Sequence, residues 1–232
     1  RGVLTVLIGL GVLAGAAAAY VRFRLPRLGD TPTQHIVADP ALAGRGEYLA
    51  QHVAICVDCH SERDYGRYSA PLKPGSLGAG GEVFGHALGL PGELVAPNIT
   101  PAAIGGWRDA ELARAITEGV TPDGRVLFPF MNYPGYAQMC RQDLQALVSY
   151  LRTLPAIQHQ VPRTQLDFPV NLLVRTFPKP AAVSDSPNSP MGRTVQPSTM
   201  PSTRTPPASA TARPCSNVVL PTLTRITSAT RS

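Results

Sequence analysis

The sequence predicts an all-α fold of a few helices joined by long loops, on three observations. Apolar residues recur at helical spacing in three stretches, near residues 42–53, 109–118 and 141–154. The run from Ser61 to Gly106 keeps neither a helical nor a strand period and is broken by Pro71, Pro74, Gly75, Gly80, Gly81, Pro91 and Pro97. Between them, Cys56-Val57-Asp58-Cys59-His60 has the spacing by which a polypeptide is stitched covalently to haem. A loop of that length is unusual in a compact domain unless it has a large apolar body to wrap.

Two thiols on one turn of chain can each form a thioether with a vinyl-bearing edge of the porphyrin. The histidine that follows lies over the ring and can bind iron from one side. Two other chemistries use C-x-x-C. A zinc site needs four ligands, and Cys140 and Cys215 stand alone without zinc-type spacing. A thioredoxin-type redox pair needs a βαβ context, which the surrounding pattern lacks.

Composition fits a small domain with help in its core. Aromatics are only 6% of the 232 residues, and a haem would supply apolar surface that the side chains do not. The net charge of +6 does not point to nucleic acid, because it sits at the two ends. Residues 1–29 carry four arginines and no acid, residues 30–180 carry 12 basic and 14 acidic side chains, and residues 181–232 carry five arginines against Asp185.

In chain order, residues 1–24 form a transmembrane anchor or signal segment, with about 19 apolar and small positions from Val3 to Val21. Arg22, Arg24 and Arg27 follow; by the positive-inside rule they favour a cytoplasmic flank, whereas the haem motif favours the other side. The chain opens on Arg1, so residues before it could reverse that count, and a signal peptide ending near Ala19 is the alternative to a retained anchor. Residues 25–41, with Pro26, Pro32 and Pro40, read as a linker. Leu42, Gly46, Leu49 and Val53 then mark a helix into the haem motif, with Gly46 leaving room for another helix. Asn98-Ile99-Thr100 matches a glycosylation acceptor but reads as loop structure.

Trp107 precedes a short helix from Asp109 to Glu118; its indole N–H could serve a haem propionate, or the ring could simply pack. Met131, in Phe128-Pro129-Phe130-Met131-Asn132-Tyr133-Pro134, is the candidate second iron ligand, since thioether sulfur suits haem iron. Met139, Met191, Met200, His52, His86 and His159 are the rivals, with His86 the most serious. A final helix from Arg141 to about Leu154 carries the stripe Leu144, Leu147, Val148, Leu151 and Leu154, and Pro155 ends it. Cys140, at its start, reads as a lone structural thiol.

With these pieces in place, residues 42–180 resemble a class I c-type cytochrome domain, in particular the first haem domain of multi-haem cytochromes c and of cytochrome subunits of bacterial membrane-bound dehydrogenases. The resemblance rests on Arg45-Gly46-Glu47-Tyr48-Leu49, on CVDCHSERD from Cys56, PNITP from Pro97, IGGW from Ile104, FPFMNYPGY from Phe128 and LVSYLRTLP from Leu147. It implies a cytochrome c-type fold, one covalent haem c at Cys56 and Cys59, iron held by His60 and Met131, and Gly46 lying under Tyr150 where the first and last helices cross. Arg108 departs from the small capping residue expected there, leaving Asp109 to cap its helix. Residues 181–232 depart more: they read as a low-complexity, disordered tail, or as an out-of-frame remnant of a second haem domain.

The function these readings imply is electron transfer by a membrane-tethered monohaem carrier or electron-transfer subunit of an oxidoreductase, with catalysis by the chain itself left open. Its partners would be an electron-donor dehydrogenase and a downstream cytochrome or oxidase, at a bacterial inner membrane with the haem domain facing the periplasm. The alternatives are a haem enzyme of peroxidase-like or sulfur-compound-oxidising type, or a haem-based sensor, each of which needs a displaceable sixth ligand.

Overall fold

The apolar stripe predicted near the end of the domain becomes α7 (Arg141–Thr153), with Leu144, Leu147, Val148 and Leu151 buried. The computed structural model that shows this describes residues 1–29 and 35–183. Before α7 come α1 (Gly2–Arg24), α2 (Ala43–Tyr48), α3 (Cys56–Cys59), α4 (Pro101–Ile104), α5 (Asp109–Glu118) and α6 (Tyr133–Tyr136), and after it α8 (Val170–Leu173). A small antiparallel sheet joins β1 (Val83–Phe84), β2 (Gly92–Val95) and β3 (Gln165–Leu166) in that order.

The core forms where α2 crosses α7. A Cβ on Gly46 would lie 1.9 Å from the Ala146 carbonyl oxygen and 2.7 Å from the Tyr150 Cβ, so only glycine allows the backbones this close. Leu49, Ala50, Leu112, Ala113 and Ile116 complete one apolar cluster with the α7 stripe. Arg45 and Asp143 tie the two helices at their edge by an ion pair of 2.5 Å. After α2 the chain widens to a π-type turn over Leu49–Val53, which turns Val53 out to solvent and off the predicted stripe.

Several expectations are refined. The stretch after the haem motif holds β1, only two residues long, and β2, whose four residues alternate in burial but make too short a run to stand out in the sequence. Helix α5 has the predicted bounds, but Asp109 does not cap it. Glu111 accepts the Arg108 backbone N–H at 2.8 Å, while the Asp109 carboxylate receives Ala38 N–H at 2.7 Å and Arg152 Nε at 2.8 Å. Cys140 is disulfide-bonded and so is not a lone thiol. Within the stretch read as linker, Ile36 is buried in the core and Asp39 N–H donates to Ser149 Oγ at 2.8 Å.

Helix α1 has no buried residue, and its length and apolar composition suffice to cross a membrane. At the other end, Glu118 is fully buried and its carboxylate accepts Arg114 Nε at 3.0 Å and Ala181 N–H at 3.1 Å. Of the residues read as tail, Ala181 is thus buried in the domain and Val183 packs against its core. The readings of the tail from residue 184 onward lie outside the described residues.

Candidate functional site

Helix α3 is a single turn that carries both motif thiols, and it is entered through Ile55 in the left-handed region (φ 46°). That bend lets the chain leave the π-type turn and start a new helix at once; Tyr136 Oη fixes it by donating to Ala54 O at 2.8 Å. Cys56 and Cys59 are free thiols, and His60 N–H closes the turn on Cys56 O at 3.0 Å.

His60 is buried, and its Nδ1 lies 2.7 Å from the Pro97 carbonyl. A carbonyl only accepts, so Nδ1 carries the proton and Nε2 keeps its lone pair for a metal. Burial holds the imidazole below its ordinary range, only partly offset by the Pro97 bond, so the ring is the neutral, ligating form. Pro97 is itself positioned through Gly80. Gly80 N–H donates to His60 O at 2.9 Å, and a Cβ there would lie 2.5 Å from the Pro97 carbonyl carbon.

Both thiols are held protonated. Burial pushes Cys56 up to about 12 and raises Cys59 as well, helped there by the Asp58 charge. A redox-active C-x-x-C pair requires a lowered thiol pKa, so this environment argues against the thioredoxin-type reading. Among the described residues there is no cluster of three or more His, Cys, Asp or Glu side chains that could hold a metal ion.

Met131 ends a 3-10 turn over Pro129–Met131 and packs, half-buried, against the same core cluster as Cys56 and Trp107. The rivals are engaged elsewhere. His86 is exposed between Glu93 and Asp167, His159 Nδ1 bonds Ala79 O, His52 is exposed beside Tyr48, and Met139 is core. Met191 and Met200 lie outside the described residues. Trp107 packs against the core, and its carbonyl accepts from Arg152 Nη2 at 2.5 Å.

The residues present fit a haem. Two thiols at attachment spacing and a buried imidazole with one free nitrogen stand together. In addition, two buried polar atoms from the chain around Met131, Arg125 Nε and Tyr133 Oη, have no hydrogen-bond partner among the described residues, which suits donors waiting for carboxylates such as the haem propionates. Sequence reasoning did not single out Pro97 O, Gly80 or Tyr136, because backbone acceptors and close approaches leave no motif of their own. Asn98, by contrast, is buried, with Nδ2 donating to Ile157 O at 2.8 Å and Oδ1 accepting from Thr100, so it is loop structure and not a glycan acceptor.

Fold and motif together are consistent with a c-type cytochrome domain. More particularly, the chain is similar to cytochrome subunits of dehydrogenases and to a dihaem cytochrome. It is 33% identical over 138 residues to the cytochrome c subunit of the quinone alcohol dehydrogenase of Gluconacetobacter polyoxogenes, covering 58% of this chain and 26% of the relative. To the fructose dehydrogenase cytochrome subunit of Gluconobacter japonicus it is 30% identical over 146 residues, 61% of this chain and 27% of that protein. With a dihaem cytochrome c-type protein of Cereibacter sphaeroides it shares 30% identity over 181 residues, 74% of this chain and 54% of the relative. The matched stretch is thus only part of each relative. No family model matches the chain. The similarity implies covalently bound haem c and a role in electron transfer.

Proposed function

We propose that this chain is a membrane-tethered monohaem c-type cytochrome that passes electrons from a periplasmic or membrane dehydrogenase to the respiratory chain. Cys56 and Cys59 hold the haem, His60 and Met131 ligate its iron, and Arg125, Tyr133 and Trp107 serve its propionates. The observation that carries this reading is the His60–Pro97 bond of 2.7 Å, which leaves Nε2 as the buried nitrogen free to bind iron.

The haem supplies one-electron iron chemistry. The chain supplies the rest. Pro97 fixes the imidazole's tautomer and angle, so the ligand does not reorganise when an electron arrives. The half-buried Met131 thioether is a soft ligand that favours the reduced iron. The apolar core beside the site disfavours net charge and pushes the potential the same way.

The test is carbon monoxide binding to the reduced, haem-loaded protein at neutral pH, with Met131→Ala for comparison. The carrier reading expects no binding by the parent chain and ready binding by the variant. Ready binding by the parent would turn the assignment toward a haem enzyme or sensor.

A further inference from the structure

Electron transfer makes no use of a cavity of about 500 Å³ at the end of α1. One wall is Phe23 and Arg24; the other is formed by Arg108, Glu111 and Arg114 of α5 and its cap, closed by Arg175. Four guanidinium groups line it; Arg108 pairs with Glu111 at 2.9 Å and Arg114 with the buried Glu118 at 3.0 Å, which leaves an excess of two positive charges. Arg24 has no acidic partner among the described residues.

The two walls are tied together. Arg175 donates to the carbonyls of Val21 (3.3 Å) and Leu25, and Arg114 Nη2 donates to Leu28 O at 3.3 Å. These bonds seat the end of the apolar helix on the domain. Burial and the nearby Arg22 charge hold the Arg175 guanidinium below its ordinary range. On the tether reading, a helix long and apolar enough to cross a membrane that ends in Arg22 and Arg24 would set the cavity at the level of lipid headgroups, with Phe23 exposed beside it.

We infer that this cavity binds the phosphate of an anionic membrane lipid, with Arg24, Arg108, Arg114 and Arg175 as donors. Guanidinium groups suit phosphate oxygens through paired, charge-assisted hydrogen bonds, and the exposed Phe23 can lie along an acyl chain. The inference rests on the tether reading above.

The test is native mass spectrometry of the haem-loaded full chain in detergent, titrated with phosphatidylglycerol, phosphatidylcholine or inorganic phosphate. Phosphatidylglycerol is expected to bind in preference to phosphatidylcholine, with Arg24→Gln weakening it about fivefold and Glu111→Gln strengthening it by a similar factor. The amide oxygen introduced by Glu111→Gln can still accept the Arg108 N–H, so the second variant should leave α5 intact. Inorganic phosphate that competes at equal concentration would support the anion site but make a soluble phosphate its ligand. No preference between the lipids, with neither variant changing binding, would overturn the proposal while leaving the tether standing. An intact mass showing that the mature chain lacks residues through Ala19 would instead overturn the tether, and with it the lipid as ligand.

Discussion

The two sides of the domain are held by different physics. On one side α2 and α7 meet through Gly46, and burial of a periodic apolar stripe does the work. On the other, the chain from Ser61 to Thr100 is held to His60 and to residues 157–166 by backbone hydrogen bonds, short β pairs and Asn98. The first side supplies a rigid platform. The second aims the His60 ring, through Gly80 and Pro97, with little apolar area of its own. Damage to the first should therefore appear as lost stability, and damage to the second as changed haem properties in a chain that still folds.

The largest effect is expected from Gly46→Val, whose side chain must enter space held by the Ala146 carbonyl. It should cost about 3 kcal/mol in chemical denaturation and depress the yield of haem-loaded protein. Gly44→Ala in the same helix, where a Cβ meets nothing within 4 Å, should leave both unchanged or improved.

Gly80→Ala should cost about 2 kcal/mol, since Gly80 has φ +73° and touches Pro97. Unlike a fault in the helix crossing, it should also shift the midpoint potential, because it moves the carbonyl that orients His60. A stability loss with an unchanged potential would mean that the loop wall does not aim the ligand. Asn98→Ala removes the donor to Ile157 O and His159 O and should cost about 2 kcal/mol, with a smaller shift in potential.

The smallest effect concerns pH. The Asp167 carboxylate, bonded to His86 Nε2 at 2.7 Å, holds His86 above its ordinary 6.5, with help from Glu93. The folded-state value is raised, so the stabilising contact is fully present below 6.5 and is lost as pH rises through the raised value. In an NMR titration of the reduced protein, His86 should titrate above 6.5 and move down in Asp167→Asn. The helix crossing should not respond over the same range.

The same division explains what can be read from the sequence. Helices α5 and α7 are legible because burial imposes a period, and Gly46 because the resemblance pairs it with Tyr150. The motif residues are legible because attachment chemistry demands Cys56, Cys59 and His60 in one arrangement. The loop wall is not, since β1 and β3 are two residues each and Pro97 acts through its backbone. Asp109 reads as a cap in the sequence because a carboxylate at a helix start serves its own helix unless a partner such as Arg152 draws it away.

The most direct test of the central claim is a pyridine haemochrome assay and intact mass on protein matured in a host equipped to load haem. One haem per chain, retained on the polypeptide after acid–acetone extraction and lost when Cys56 and Cys59 are replaced by serine, is the expected result. A colourless protein, or colour that leaves with the solvent, would contradict it.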